Sequence, residues 1–313
     1  MTQQLITPAR LQAGDTVAVF APAFQVDSEK LRFTIERLEA LGLNVIDVVT
    51  PLTPDTYFAG NAQQVITSIH NLFVDKSIKA LFAVRGGFGC ARLLSLLDYD
   101  LIKANPKIII GYSDLTALLI AIHEKTGLIT YHGPTAAQEL PPFSQHYLYS
   151  TLFTDEKICY QNTVSSSHND LIQTQHRHIT LIPGKAQGHL MGGNLAVLTS
   201  IIGSEFFPHT WNDKILFVED VHENIYKIDR MFTQLKLAGV LKQIKGLVLG
   251  TFIDCNATVF QSPTFMQLMK RIADDINVPC YANASFGHQI ENFTLPIGAE
   301  ILLNADQGNL TLI

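Results

Sequence analysis

Three isoleucines, Ile108-Ile109-Ile110, run into Gly111, and beyond Tyr112, Ser113 and Asp114 the apolar residues of 115–122 recur at helical spacing. An apolar run that stops at a glycine and gives way at once to a helical pattern predicts a buried strand turning sharply into a helix. Such a turn presents the side chain at its apex, here Ser113, and aims the first free N–H groups of the helix at whatever sits there. From the residues alone Ser113 has two readings. It is a helix N-cap, because Ser and Asp are preferred there, or it is a nucleophile whose oxyanion develops near backbone donors. The hydrolase elbow is G-x-S-x-G. Leu115 takes the last position here, so the match is partial and needs a base and an acid from elsewhere in the chain.

The stretches before this elbow fix its setting. Residues 15–22, 44–49 and 80–85 read as strands apolar on both faces, alternating with helical patterns over 28–41 and 61–73. That alternation predicts a parallel sheet covered on both sides, with ligands bound beyond the carboxyl ends of the strands. Arg85-Gly86-Gly87 and Ser113 lie at such ends. After Gly133 the pattern changes. Pro141-Pro142 and the polar segment 163–177, with Ser165-Ser166-Ser167, read as connecting chain. The expected division is an N-terminal domain at 1–160 carrying the nucleophile, a connector at 161–178, and a C-terminal domain at 179–313. In the last, strands are expected at 179–182, 186–191, 214–218 and 247–252, and helices at 224–237 and 263–276. Gly192-Gly193-Asn194 opens an apolar stretch at 195–202, and a hairpin is expected around Gln307-Gly308.

The chain has 313 residues and a formal net charge of −6, with no basic block. Nucleic acid is therefore excluded as a main partner. No apolar run reaches about 18 residues, so no membrane-spanning helix is expected, and the N-terminus lacks the pattern of a secretory signal. Cys90, Cys159, Cys255 and Cys280 show no C-x-x-C spacing, which fits reduced thiols in the cytoplasm.

Four features compete for the chemistry. Arg85-Gly86-Gly87-Phe88-Gly89 is a glycine-rich turn after a strand, able to cradle phosphate, to lend an N–H to an oxyanion, or simply to turn. Phe217-Val218-Glu219-Asp220 ends an apolar strand in an acid pair; it meets water or caps a helix, or it orients a histidine. Ser285-Phe286-Gly287-His288 places a histidine in a glycine-containing loop, exposed or acting as base. His168, His176, His178 and His189, together with the acidic run at 219–223, invite a metal, but no i, i+4 histidine pair of the H-E-x-x-H kind is present. Cys90 offers a thiol rival to Ser113, against the commoner role of a small buried residue. Ser113, Glu219 and His288 stand in the order Ser…Glu…His, each at a predicted strand end, which favours a hydrolase with its site between the domains.

Several ordered motifs resemble one family over nearly the whole chain. They are Tyr57-Phe58-Ala59-Gly60, the 83–89 run Ala-Val-Arg-Gly-Gly-Phe-Gly, Gly111-Tyr112-Ser113-Asp114 and Gly192-Gly193-Asn194-Leu195. Next come Glu219-Asp220 with Tyr226-Lys227-Ile228-Asp229-Arg230, and finally Phe286-Gly287-His288. In this order the set resembles the LD-carboxypeptidases, serine peptidases that include murein tetrapeptide carboxypeptidases and microcin C self-immunity peptidases. The resemblance implies an α/β fold, with an N-terminal flavodoxin-like parallel-sheet domain and a C-terminal mixed α+β, barrel-like domain. It implies Ser113 as nucleophile, His288 as base and Glu219 as third member, with the N–H groups of Gly87 and Asp114 receiving the oxyanion and no metal or other cofactor. It implies a homodimer that releases a terminal D-amino acid from a small peptide across an L-to-D amide bond, as in cytoplasmic peptidoglycan recycling. Alternatives are a microcin C-type aminoacyl-nucleotide amide hydrolase and a non-catalytic ligand-binding protein. A substrate carboxylate would need a cation, and Arg85 and Arg230 are the arginines inside the motifs. Arg230, following Asp229, is expected mainly in a structural ion pair. Ala23 stands where many members have Ser after Pro, and Ser204 where Thr is common after Gly; both leave substrate choice open.

Overall fold

The computed structural model describes residues 4–49, 57–137, 139–162, 177–256 and 262–313. The chain opens with β1 (Thr16–Phe20), α1 (Ser28–Ala40), β2 (Asn44–Asp47), α2 (Ala62–Val74) and β3 (Ile78–Ala83). A 3₁₀ turn at Cys90–Leu96 precedes α3 (Tyr99–Ala104), β4 (Ile108–Gly111), α4 (Leu115–Thr126) and β5 (Thr130–His132). Then follow α5 (Pro142–Phe153), β6 (Cys159–Gln161), β7 (Ile179–Ile182), β8 (Lys185–Asn194), α6 (Leu195–Ser200), β9 (Lys214–Val221) and α7 (Ile225–Leu237). The chain closes with β10 (Gly246–Ile253), α8 (Phe265–Ile276), β11 (Cys280–Ala282), β12 (Leu295–Ile297), β13 (Glu300–Asn304) and β14 (Asn309–Leu312).

Two sheets result, so the chain is an α/β protein with a parallel N-terminal sheet and a second, mixed one. The first has the order β12-β5-β4-β3-β1-β2. Its members β1 to β5 are parallel, and β12 closes the edge antiparallel to β5. That edge strand, drawn from the far end of the chain, was not foreseen. β2 lies on one side of β1 and β3 on the other, so the order reverses between β1 and β3. This is where open α/β sheets bind ligands, and the residues leaving there are Phe24 and Arg85-Gly86-Gly87. The second sheet has the order β6-β14-β13-β8-β9-β10-β11-β7. Its centre, β8 to β11, is parallel and its flanks are antiparallel.

Local signals explain the elements. Asn61 and Gln64 form a reciprocal capping box that starts α2. Gly127, at φ 78°, ends α4 in the left-handed region that glycine tolerates best. α4 has no polar face, and residues Leu115 to His123 are all buried. A helix apolar all round lies between layers: α4 packs on β4 and β5 of the first sheet and on β8 of the second. One continuous core accordingly includes Leu81 and Ile109 from the first sheet and Phe217 and Leu249 from the second. Pro141-Pro142, read as connecting chain, instead begins α5, with Pro142 in its first turn. Proline suits that position because its missing N–H would be unpaired there anyway. Of the expected connector, residues 163–176 lie outside the described residues.

Candidate active site

The elbow is present: β4 ends at Gly111 and α4 begins at Leu115. Ser113, between them, has a φ of 63°. A non-glycine residue in the left-handed region is sparsely populated, and such strain concentrates at functional sites. The carbonyl of Ser113 accepts from Thr116 N–H at 3.0 Å, so the serine is tied into the first turn of α4. The glycine-rich turn after β3 lies against it. A Cβ on Gly86 would come within 2.8 Å of Ser113 Cβ and 3.0 Å of its Oγ. On the other side of this turn, a Cβ on Gly87 would meet Phe24 Cβ at 2.6 Å. Among the described residues, neither the Asp114 N–H nor the Gly87 N–H is engaged in a hydrogen bond. The Asp114 side chain is buried and accepts from Cys90 N–H at 2.8 Å, locking elbow and turn together. Burial pushes its carboxyl above the usual range, and the Cys90 N–H partly offsets this.

The second cluster lies on the other sheet. Glu219, fully buried on β9, receives His288 Nδ1 at 2.7 Å on Oε2. The histidine is half-buried, and the Tyr112 ring meets it edge-on at a centroid distance of 4.9 Å. Tyr112 directly precedes Ser113, so the imidazole stands beside the elbow. The loop carrying His288 is held by side chains. Asn292 donates to the Gly287 carbonyl at 2.7 Å and accepts its N–H at 3.2 Å. Asn162 accepts Ser285 N–H at 2.9 Å, and the Thr251 hydroxyl donates to the Phe286 carbonyl at 3.2 Å. Gly287, at φ 114°, passes so close to Glu219 that a Cβ would sit 2.7 Å from Oε2.

Between the clusters lies His132, at the end of β5. It is wholly buried, neither ring nitrogen has a partner among the described residues, and the Phe217 ring stands 5.3 Å away. Burial pulls its pKa down to about 4, against a smaller upward pull from Glu219. Asp220 moves the other way, up to about 6, chiefly through burial.

Other candidates lie elsewhere. The Arg85 guanidinium stacks over Phe24 at 4.7 Å and donates to the Gln25 carbonyl at 3.3 Å, on the rim of the glycine-rich turn. Arg230 stands over Tyr226 of its own helix, and its neighbour Asp229 pairs with Arg271 of α8 instead. The expected Asp229–Arg230 pairing is thus replaced by an interhelical one, since neighbours on a helix point in different directions. Cys90 is fully buried, and burial followed by the Asp114 charge pushes its thiol well up. Such a thiol is a poor nucleophile. His178 and His189 face the carbonyls of Asp306 and Gly298. Among the described residues no group of three or more His, Cys, Asp or Glu could hold a metal ion, and His168 and His176 lie outside those residues. No described helix is long and apolar enough to cross a membrane.

Residues 17–133 match the family model of the LD-carboxypeptidase N-terminal domain, and residues 187–303 that of the C-terminal domain. The chain belongs to the LD-carboxypeptidase family. It is 35% identical to a Bacillus subtilis protein named "Probable murein peptide carboxypeptidase", over 95% of this chain and 91% of that one. Its fold is similar to that of MccF in complex with glutamyl sulfamoyl guanosine, at TM-score 0.86 and 28% identity, over 97% of each chain. It is also similar to muramoyltetrapeptide carboxypeptidase from Oxalobacter formigenes, at TM-score 0.80 and 26% identity, over 95% of this chain and 97% of that one. An LD-carboxypeptidase of this family is a serine-type hydrolase, and the elbow and the acid–imidazole pair are the features that such chemistry needs.

Proposed function

We propose that Ser113, His288 and Glu219 are nucleophile, base and orienting carboxylate for hydrolysis of an L-to-D amide bond, releasing a terminal D-amino acid from cytoplasmic murein tetrapeptide. The observation that carries this reading is the 2.7 Å His288–Glu219 pair standing beside the strained serine elbow. Glu219 accepts the hydrogen bond of the Nδ1–H, which leaves Nε2 free to receive the Ser113 proton. The alkoxide attacks the scissile carbonyl carbon, and the N–H groups of Asp114 and Gly87 receive the negative oxygen. His288 then protonates the departing amine, and the D-amino acid leaves. Water, deprotonated by the same imidazole, opens the acyl-enzyme. The carboxylate of the departing residue lies next to the scissile bond; Arg85, next to Gly86, is the cation we assign to it. Arg230, exposed on α7, has no contact among the described residues that joins it to the site.

A second reading is amide hydrolysis of an aminoacyl-nucleotide conjugate, favoured by the likeness to MccF with its sulfamoyl nucleoside. One panel separates the two. Tetrapeptides ending in L-Lys-D-Ala or diaminopimelate-D-Ala, a C-amidated control and glutamyl sulfamoyl adenosine are incubated with the enzyme and followed by mass spectrometry. Release of D-Ala from the free acid, and little from the amide, is the expected result. Cleavage of the nucleoside conjugate alone would move the assignment to the second reading. Saturable binding without any cleavage would indicate a ligand-binding protein. The homodimer implied by the family is checked by sedimentation equilibrium.

A further inference from the structure

Asn194 is the last residue of β8 and lies opposite Glu219 in the parallel β8–β9 register. Its side-chain amide is divided between two neighbouring buried carboxyl groups. Nδ2 donates to Glu219 Oε1 at 3.3 Å and to Asp220 Oδ1 at 3.0 Å. The amide oxygen accepts Val197 N–H at 3.1 Å, capping α6. The backbone N–H of Asn194 leaves its own sheet altogether and donates to Thr116 Oγ1 at 2.9 Å. Thr116 belongs to the first turn of α4, and its own N–H holds the Ser113 carbonyl. Both residues are buried, Thr116 at 0% exposure and Asn194 at 4%. Gly193 makes the approach possible, because a Cβ there would stand 2.6 Å from Thr116 Oγ1.

A continuous hydrogen-bonded path therefore runs Ser113, Thr116, Asn194, Glu219, His288, and it crosses between the two sheets. We propose that Asn194 and Thr116 form a positioning clamp that sets the nucleophile against the acid–imidazole pair. The clamp works at two points. At Glu219, Asn194 holds Oε1, so the carboxylate cannot turn and Oε2 stays on His288. At Thr116, the bond fixes the first turn of the elbow helix against the end of β8, at the residue that pairs with Glu219 across the sheet. The elbow follows β4 of the first sheet and the orienting carboxylate stands on β9 of the second, and a slip of about 1 Å between reacting groups costs on the order of 100-fold in rate. Neither residue touches the reacting atoms. This inference rests on the assignment of Ser113, Glu219 and His288 above.

The competing role is purely structural, Asn194 serving only as the cap of α6. Asn194→Ser separates the two, since serine keeps a capping oxygen but has no amide to reach Glu219. Thr116→Val removes the acceptor at nearly constant shape, and Thr116→Ser restores it. Hydrolysis of the D-Ala-terminated tetrapeptide is followed, with melting temperature and the downfield His288 Nδ1 proton signal recorded alongside. For Asn194→Ser and Thr116→Val we expect kcat to fall by about 100-fold, KM to stay within about threefold, and the proton signal to broaden or shift. Thr116→Ser should stay within about threefold of wild type. The clamp is overturned if folded Asn194→Ser or Thr116→Val loses less than about tenfold in kcat, or if Thr116→Ser is as slow as Thr116→Val. Should Asn194→Ser not fold, the Thr116 pair decides. Ser113→Ala keeps the two levels apart. If it still turns over, the site assignment fails; if it is inert while the clamp variants are fast, only the clamp fails.

Discussion

Around Ser113 the geometry is written in the backbone: a left-handed φ of 63°, glycines at 86 and 87 where a Cβ would collide, and two N–H groups unengaged among the described residues. Around His288 it is written in side chains, with Asn292, Asn162 and Thr251 pinning the loop and Asn194 pinning the carboxylate. The difference follows from what each half must do. An oxyanion needs fixed N–H dipoles, which a strained turn supplies without reorganisation. An imidazole needs one rotamer and one tautomer, which only directional partners enforce.

The largest effect should come from removing either reacting group. Ser113→Ala is expected to lower kcat by roughly 1,000-fold or more with an unchanged melting temperature, because only the hydroxyl is lost. His288→Ala should do the same. If the two halves act as one unit, the double variant is no slower than either single one, since groups that act together lose their effect together. Independent, multiplying losses would mean that the two regions serve different chemistry.

Gly287→Ala is the next test, and it sits where the two building styles meet. The substitution forces a Cβ to within 2.7 Å of Glu219 Oε2 at a φ of 114°. Strain at positive φ and overpacking each cost roughly 1–3 kcal/mol. Unfolding in urea should show a loss of a few kcal/mol, and the His288–Glu219 proton signal should move. A fully stable and active variant would show that the loop is looser than its hydrogen bonds indicate.

The legible half of the site was the backbone half. Gly86-Gly87 and the Gly111-to-Leu115 break announce themselves locally, because strain and turns restrict residue type within a few positions. Glu219 and His288 could be named only as strand-end candidates, or through the family motifs. Nothing in their neighbourhood says which carboxylate meets which of the eleven histidines. Thr116, Asn194, Asn162 and Asn292 were missed as site residues for the same reason. Hydroxyl and amide side chains cap, turn or bridge equally well, and only the partner, 78 residues away for Thr116 and Asn194, decides. Gly192-Gly193-Asn194 did stand out, yet only as the opening of an apolar stretch and as a family motif. The doubly apolar strands made the parallel sheet legible. β12 was not, since three residues from the C-terminal half had no sign that they would close the first sheet.

His132 lies on the seam between the halves and gives a smaller, pH-dependent effect. Its ordinary pKa of 6.5 falls to about 4 in the fold, chiefly by burial. As pH drops below 6.5 the unfolded chain takes up the proton and the folded chain does not. Stability present above pH 6.5 is therefore lost on descent towards pH 4, by roughly 3 kcal/mol for this group. Asp220 has the opposite sign, its carboxyl being raised to about 6, so it returns stability as pH falls from 6 towards 3.8. Wild type alone shows the sum. The difference between wild type and His132→Phe, from urea unfolding at several pH values, isolates the histidine. The variant should gain on wild type as pH falls, and parallel curves would mean that His132 is charged or solvated in the fold.

Cys90 should have the smallest effect, and for that reason it tests which region holds the nucleophile. The residue lies behind the glycine-rich turn, with no exposed surface, and burial with the Asp114 charge keeps its thiol protonated. What the site takes from it is the backbone N–H that holds Asp114, and that bond survives any substitution but proline. Cys90→Ala removes one buried sulfur and should cost about 1 kcal/mol in stability, within the range for losing a small group from a packed core. Activity should stay at the wild-type level, and a thiol reagent that leaves the fold intact should not inhibit either protein. Inhibition of wild type that vanishes in Cys90→Ala would reverse the comparison: the glycine-rich turn, not the strand-to-helix elbow, would then carry the reacting atom.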